Sequence, residues 1–394
     1  MDQEYVGLLK LYIEKTLGRR VLSSTDCRFL FNDINQQIDA TLSFNTLRRF
    51  FNLMETKHEQ SVYTLNILAS YCGFLSFDDF KTSVKHKPSE NGMQNADLLH
   101  YLVMLFKETE VVDPNDATFS RLVRQTITFL EFHPELIDQF QREIAKTSNG
   151  QTFYYEQFVN FDRLNGYYGD GLRYYLHEKK NVDAQVFGHY MLCLRYWLTM
   201  NNKNLEKHYH QIMHCELNKK SSASTVAHYY AAQLMHAHTF QTDPEPVLIK
   251  TRQYYSTISQ AKDFSLALFR FYMTMSHTLL LTEQYDEALF YIEEFLKNRK
   301  KFELRSMERN FSESILLFKA VAMLHLGNKP AAREWLESVN SSNFFVLSKQ
   351  YNTILYLSLK QHLKKSSYEQ EQLKHLVKIT GFVRLMQAQQ LAAN

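Results

Sequence analysis

Apolar residues recur three and four positions apart along nearly the whole chain, which is the spacing of one face of an α-helix. In the first 85 residues this pattern predicts five short helices. The first has Val6, Leu9, Ile13 and Leu17 on one face and ends at Gly18. Helical spacing then continues from residue 97 to the end. We therefore expect an all-α protein.

Three polar residues mark helix starts within the first 85 residues. Ser23 is followed three positions later by Asp26, and Ser76 by Asp79, which is the spacing of a capping box. Ser43 is a good N-cap residue for a compact helix between them. These signals divide the amino-terminal part into helices joined by short turns.

Residues 85–96 lack helical spacing and contain Pro88 and Gly92, so they form the best candidate for a linker. We accordingly predict an amino-terminal five-helix domain over residues 1–87. A linker over residues 88–96 would join it to a helical repeat domain over residues 97–394.

Weak internal repetition is visible in the second part of the chain. The clearest units cover residues 269–298 and 313–340. Each has a small residue in both helices, where two antiparallel helices approach closely. Both resemble the tetratricopeptide (TPR) repeat. Looser units begin near Tyr155, Phe187, Val226 and Leu347. A TPR-like superhelix would be an elongated array with an open inner wall, and a generic α-α solenoid is the alternative.

The amino-terminal part carries a more specific pattern. Residues 42–51 read Leu-Ser-Phe-Asn-Thr-Leu-Arg-Arg-Phe-Phe, and residues 61–65 read Ser-Val-Tyr-Thr-Leu. Leu68-Ala69, Gly73 and Ser76 follow. This series resembles the helix-turn-helix of lambda-repressor-like (Xre-type) bacterial regulators over about 55 residues.

That resemblance implies that the third helix lies in the DNA major groove with its first residues at the base edges. Asparagine and arginine can pair with adenine and guanine, and serine or threonine can hold a phosphate. Arg19, Arg20 and Arg28 could add contacts to the DNA backbone. The candidate DNA-binding residues are Ser43, Phe44, Asn45, Thr46, Arg48, Arg49, Arg19 and Arg20.

Composition supports a folded helical protein and leaves DNA binding open. The 394 residues are 45% hydrophobic and 22% charged, and the low counts of Gly (11) and Pro (6) favour long helices. The net charge is +3, yet residues 1–95 contain acidic and basic residues in equal number. Because phosphate neutralisation supplies much of DNA affinity, this balance favours the alternative that the first domain is only a helical cap.

Other features indicate the compartment. The four cysteines, Cys27, Cys72, Cys193 and Cys215, have no CxxC spacing and lie in apolar stretches. They are expected to be buried thiols in a reducing environment. The amino terminus does not show the pattern of a signal peptide, and no run of about 18 apolar residues predicts a membrane span. We expect a cytoplasmic protein.

Two clusters of residues are candidates for chemical sites. His210 and His214 share a helix face and could chelate a metal, but Gln211 replaces the glutamate of a zincin motif. The glycines of residues 166–171 lack the Lys-Ser/Thr of a phosphate-binding loop and are expected to form a loop between repeat helices. We therefore expect no catalytic residue, no metal site and no cofactor.

Paired tyrosines occur along the repeats, and adjacent helical residues point about 100° apart, so both cannot face one core. One of each pair is expected in a partner groove or in a seam between repeats. The groove candidates are Tyr168, Tyr175, Tyr230 and Tyr255. Packing between repeats is the alternative for each.

The sequence thus leaves two functional hypotheses. The first is a non-enzymatic bacterial transcriptional regulator that binds double-stranded DNA through its first domain and a peptide or protein through its repeats. The second is a protein–protein interaction scaffold without DNA binding. A homodimer is compatible with both.

Overall fold

A computed structural model of the chain describes residues 2–19, 21, 23–38, 42–54, 60–85, 91–111, 116–260, 264–302 and 311–386. The protein is all-helical, and no β-strand occurs in these ranges. None of the helices in them is long and apolar enough to span a membrane. Contacts between residues divide the chain into two compact units, Met1–Asn95 and Ala96–Asn394.

The first unit contains short helices joined by turns: α1 (Asp2–Leu17), α2 (Ser24–Gln37), α3 (Phe44–Phe50), α4 (Val62–Tyr71) and α5 (Phe77–Lys85). The predicted stop after α1 is confirmed. Gly18 has a φ of 70°, in the left-handed region that glycine adopts without strain.

The predicted helix starts are confirmed by their hydrogen bonds. The Ser23 hydroxyl accepts from the backbone N–H of Asp26 at 3.2 Å and donates to its carboxylate at 2.7 Å. Ser43 accepts from the N–H of Thr46 at 3.1 Å, and Ser76 accepts from that of Asp79 at 3.1 Å. Each cap satisfies a backbone N–H that has no partner within its helix.

The apolar face of every helix in this unit meets one core. Its fully buried side chains include Leu9, Ile13, Cys27, Leu30, Leu47, Leu68 and Phe80. Burial of a leucine or phenylalanine side chain stabilises a fold by about 1.5–3 kcal/mol, so this core holds the short helices together.

Helix α6 (Asn91–Glu108) includes residues 91–96, which the sequence had assigned to the linker. Residues 88–90 of that linker lie outside the described ranges. A glycine such as Gly92 costs a helix only about 1 kcal/mol relative to alanine. The buried Leu99, Leu102 and Phe106 of the following turns offset that cost.

The second unit continues with α7 (Ala117–Glu131), α8 (Pro134–Ile144), a π-helical segment (Gly150–Gln157) and α9 (Tyr167–Glu178). The glycines of residues 166–171 lie at the start of α9 and not in a loop. A Cβ on Gly169 would stand 2.0 Å from the carbonyl oxygen of Leu164. Glycine therefore permits a close approach of the chain that precedes the helix.

Helix pairs then follow one another to the end of the unit. In order they are α10 (Val182–Leu198) with α11 (Asn202–Met213), α12 (Ala223–Phe240) with α13 (Glu245–Gln260), α14 (Leu266–Leu281) with α15 (Tyr285–Asn298), α16 (Ser312–His325) with α17 (Lys329–Ser338), and α18 (Lys349–Leu363) with α19 (Ser367–Thr380). The first helices of successive pairs contact one another. This succession of helix pairs is compatible with a helical repeat.

The last helices of this unit contact its earlier part. Asp162 accepts hydrogen bonds at 2.9 Å from the backbone N–H groups of Gln350 and Tyr351 at the start of α18. The Nε of Arg384 donates to the carbonyl oxygen of Trp197 at 2.7 Å. Helix α18 and the segment that follows α19 therefore contact parts of the unit that lie far from them in the chain. These contacts join residues nearly 190 positions apart, which local periodicity does not encode.

Candidate functional site: an exposed helix face and an apolar cavity

Helix α3 presents opposite faces to the core and to the surface. Leu47 and Phe50 are buried at 0% and 1% exposure. Asn45 and Arg49, one turn apart, are exposed. Ser43, also exposed, caps the helix through its hydroxyl. Because two apolar residues hold the inner face, the polar residues of the outer face are displayed to solvent.

The remaining candidate side chains of α3 are half-buried and contact their neighbours. The Thr46 hydroxyl lies 2.8 Å from that of Ser43. Arg48 donates from Nη1 to the Asn45 amide oxygen at 3.4 Å. Arg48 thus orients Asn45 and contributes positive charge beside it.

Phe44 anchors the basic side chains near α3. Its ring packs edge-on against Phe31 at a centroid distance of 6.3 Å. The guanidinium of Arg28 lies 5.1 Å from the Phe44 centroid, and that of Arg48 lies 5.8 Å from it. Phe44 is therefore a packing residue and does not reach outward with Asn45. The exposed Arg28 of α2 adds a third arginine to the surface around α3.

Arg19 serves the fold and is not free for phosphate. Its Nη2 lies 2.6 Å from the Asp26 carboxylate, and its guanidinium stacks 4.0 Å from the Phe29 centroid. The Arg19 side chain is 17% exposed and that of Asp26 only 5%. Arg20 lies outside the described residues.

The structure places three of the four groove tyrosines in the core. Tyr168, Tyr175 and Tyr255 are 1%, 0% and 7% exposed. Their hydroxyls have internal acceptors: the Tyr155 carbonyl at 2.6 Å, the Glu156 carboxylate at 2.7 Å and the Glu294 carboxylate at 2.7 Å, respectively. Burial raises the pKa of all three phenols. Tyr230 is half-buried.

His210 and His214, the two candidate metal ligands, lie at the end of the histidine-rich helix α11. His214 contacts through its Nδ1 the carbonyl oxygen of His210 at 2.6 Å. In the part of the chain that the structure describes, no group of three His, Cys, Asp or Glu side chains could hold a metal ion. All four cysteines are free thiols, with Cys27 and Cys193 buried.

A cavity of about 160 Å³ lies in the second unit. Its walls come from residues 156–161 and from helices α10, α14, α16 and α18. The walls are mainly apolar, with Met191 and Met273 facing several phenylalanines. Helical spacing alone does not predict this cavity. The cavity forms because helices distant in the chain meet without filling the space between them.

Polar groups occur on the same walls. His277 Nε2 and the Tyr351 hydroxyl form a hydrogen bond of 2.5 Å. Burial lowers the pKa of His277 to about 4, so the imidazole is neutral near pH 7. Glu156 is paired with Lys179 at 2.5 Å. Arg270 of α14 and the buried Asn352 of α18 also line the cavity.

Comparisons of the chain with protein-family models, with curated proteins and with solved structures produced no match.

Proposed function

We propose that this chain is a non-enzymatic regulatory protein that binds double-stranded DNA through the outer face of α3 and a ligand through its repeat unit. The observation that carries the proposal is the exposure of Asn45 and Arg49 on a helix whose inner face is held by Leu47 and Phe50. These are the two side chains of α3 that are exposed and can form paired hydrogen bonds with DNA bases.

The chemistry of this face fits base recognition. An asparagine amide can make two hydrogen bonds with adenine, and an arginine guanidinium can make two with guanine. Asn45 and Arg49 are four residues apart, so they project from the same side of α3. In a helix-turn-helix arrangement α3 would enter the major groove and the Ser43 end would lie near a phosphate.

The electrostatic contribution is small because few cations are available. Arg28, Arg48 and Arg49 surround α3, whereas Arg19 is neutralised by Asp26. Few phosphate contacts give a shallow salt dependence and modest affinity for a single half-site. The proposal therefore includes a homodimer on two half-sites as the tight DNA-binding form.

The repeat unit would supply regulation. A ligand that occupies it shifts the protein toward the conformation to which it binds better. A peptide or protein partner is the natural class of ligand for TPR-like helix pairs. No step of this function requires catalysis or a cofactor.

An interaction scaffold without DNA binding is the second candidate. The pairing of Arg19 with Asp26 favours it, because that contact removes a cation from the surface. The equal number of acidic and basic residues in the first 95 positions favours it as well. In this function α3 would be only a solvated helix of a capping unit.

Genome-wide enrichment of DNA bound to the full chain distinguishes the two. We expect discrete sites for the wild type and their loss in Asn45→Ala/Arg49→Ala. The matched control is Arg121→Ala/Gln125→Ala, which removes one arginine and one amide, also four residues apart and exposed, from α7. Featureless recovery from all three proteins would reject DNA binding and leave the scaffold.

A further inference from the structure

A second, smaller cavity of about 80 Å³ lies in the second unit. Its walls come from helices α10, α14, α15, α16 and α18 and from the segment that follows α19. An engineered cavity of about 150 Å³ takes up benzene. The smaller cavity can therefore enclose a guest of about three to five non-hydrogen atoms.

Two polar side chains on its walls have no partner in the part of the chain that the structure describes. Trp197 is 2% exposed, and its Nε1 is buried without a hydrogen-bond acceptor. The Ser358 hydroxyl of α18 is likewise buried and forms no hydrogen bond. An indole N–H can only donate, and a serine hydroxyl can donate as well. Because buried polar groups in folded proteins are nearly always paired, these two indicate a guest with acceptor oxygens.

Arg384 brings a permanent positive charge to the same walls. Its guanidinium lies 4.6 Å from the centroid of the Trp197 ring, and its Nε donates to the Trp197 carbonyl oxygen at 2.7 Å. A longer contact of 3.5 Å joins its Nη2 to the amide oxygen of Asn202. Both acceptors are neutral, and Arg384 forms no ion pair with a carboxylate of the described residues. Its charge is therefore uncompensated beside the cavity.

The other ionisable groups on the walls do not replace a counter-charge. Glu283 is exposed and makes no ion pair with Arg384. The rings of His325 and His362 lie 6.2 Å apart between centroids, and burial lowers the pKa of both, so they are neutral near pH 7. Each neutral imidazole has one N–H to donate. The walls thus combine hydrogen-bond donors with one positive charge, which suits an anion.

The remaining walls are aliphatic and select the kind of anion. Leu281 of α14, Leu324 of α16 and Leu355 of α18 belong to them. A phosphate or a sulfate has charged oxygens on every side, and those against leucine would lose water without gaining a donor. A carboxylate has its two oxygens at one end and an alkyl group at the other. It can therefore match the donors and the leucines together.

We propose that the smaller cavity binds a short-chain carboxylate of about three to five non-hydrogen atoms, such as acetate or propanoate. The carboxylate accepts hydrogen bonds from Arg384, from the Trp197 Nε1 and from the Ser358 hydroxyl, and the alkyl group contacts the leucines. This inference goes beyond the proposed function and does not rest on DNA binding by α3.

The indole N–H groups of the full chain report on the site by NMR. The sequence has two tryptophans, and Trp335 lies on α17, outside the cavity walls. Titration with sodium acetate should shift the Trp197 indole signal to lower field and leave the Trp335 signal unchanged, and Trp335→Phe assigns the two signals. We expect dissociation constants of roughly 0.1 to 10 mM for acetate and propanoate.

Matched probes separate the carboxylate from other guests. Acetamide has the shape of acetate without its charge, and we expect it to bind about tenfold or more weakly. Sodium chloride at the same ionic strength should leave the Trp197 signal in place. Equal binding of acetate and acetamide, or an unchanged Trp197 signal in acetate, would overturn the inference. Phosphate binding as tight as that of acetate would overturn the assignment to a carboxylate.

Variants separate binding from folding. Arg384→Gln should reduce the affinity for acetate at least about tenfold, whereas Arg333→Gln, at an exposed position of α17, should behave as the wild type. Ser358→Ala should weaken acetate binding about three- to tenfold without lowering the melting temperature, because the hydroxyl has no partner to lose.

A lower melting temperature of Ser358→Ala with unchanged affinity for acetate would contradict the site. This variant keeps the test decisive even if Arg384→Gln does not fold. DNA enrichment is measured separately, so either proposal can fail alone.

Discussion

The Nδ1 atoms of His189 and His208 lie 2.9 Å apart, within hydrogen-bonding distance across helices α10 and α11. One ring donates its Nδ1 proton and the other accepts, so the bond requires at least one neutral imidazole. Tyr196 stacks parallel to His208 at a centroid distance of 5.5 Å. This hydrogen bond links helices α10 and α11.

The histidine pair predicts loss of stability in acid. Burial lowers the pKa of His189 to about 4, with a smaller contribution from the charge of Lys207. Burial also lowers the pKa of His208 to about 4, with a smaller contribution from His189. Both values lie below the ordinary 6.5, so the unfolded chain binds protons more readily than the folded protein. The contribution of the pair to the unfolding free energy is therefore fully present above about pH 6.5. It is lost as the pH decreases toward 4.

Urea unfolding at several pH values between 7.5 and 4.5 measures this effect. His208→Gln should flatten the dependence of the unfolding free energy on pH. His177→Gln, whose parent side chain is 79% exposed, should leave the slope of the wild type unchanged. An unaltered slope in His208→Gln would show that the pair does not titrate on unfolding.

The pairing of Arg19 with Asp26 predicts a structural role for an arginine that sequence motifs had assigned to DNA. Arg19→Ala removes this guanidinium from the buried carboxylate of Asp26, to which Ser23 still donates. We expect a loss of about 1–2 kcal/mol in the unfolding free energy of the first unit, less than for a fully buried pair.

Thermal unfolding of the full chain checks this loss. Arg49→Ala removes the same charge from an exposed position and should change stability by less than about 0.5 kcal/mol. If Arg49→Ala proved as destabilising as Arg19→Ala, the assignment of Arg19 to the fold and of Arg49 to the surface would be wrong.

Close approach at Gly169 predicts that even a methyl group is not tolerated there. A Cβ would lie 2.0 Å from the Leu164 carbonyl oxygen, so backbone must move. Gly169→Ala should destabilise the second unit by about 3 kcal/mol. Gly7→Ala in α1, where nothing lies within 4 Å of an added Cβ, should instead stabilise its helix by up to about 1 kcal/mol. Denaturant melts of the two variants compare these effects, and equal stability would refute the steric argument.

Local sequence signals predicted local structure well. The all-helical class follows from apolar spacing, and the caps at Ser23, Ser43 and Ser76 follow from contacts three residues apart. Exposure of Asn45 opposite Leu47 also follows from the geometry of one helix.

Features that depend on residues far apart in the chain could not be predicted from local sequence signals. The sequence predicts Tyr168 and Tyr175 beside a groove, yet both side chains are buried by neighbouring parts of the unit. The contact of Asp162 with Tyr351, a residue in the wall of the larger cavity, spans 189 positions. Periodicity along one helix carries no information about which other helix will pack against it.

The affinity of the full chain for an enriched DNA fragment tests the central claim most directly. Fluorescence anisotropy should give a dissociation constant for Asn45→Ala/Arg49→Ala that is at least about 30-fold weaker than for the wild type, since two base contacts of roughly 1–3 kcal/mol each are lost. Arg121→Ala/Gln125→Ala should bind as the wild type does. Equal affinities of all three proteins would contradict a DNA-reading role for α3.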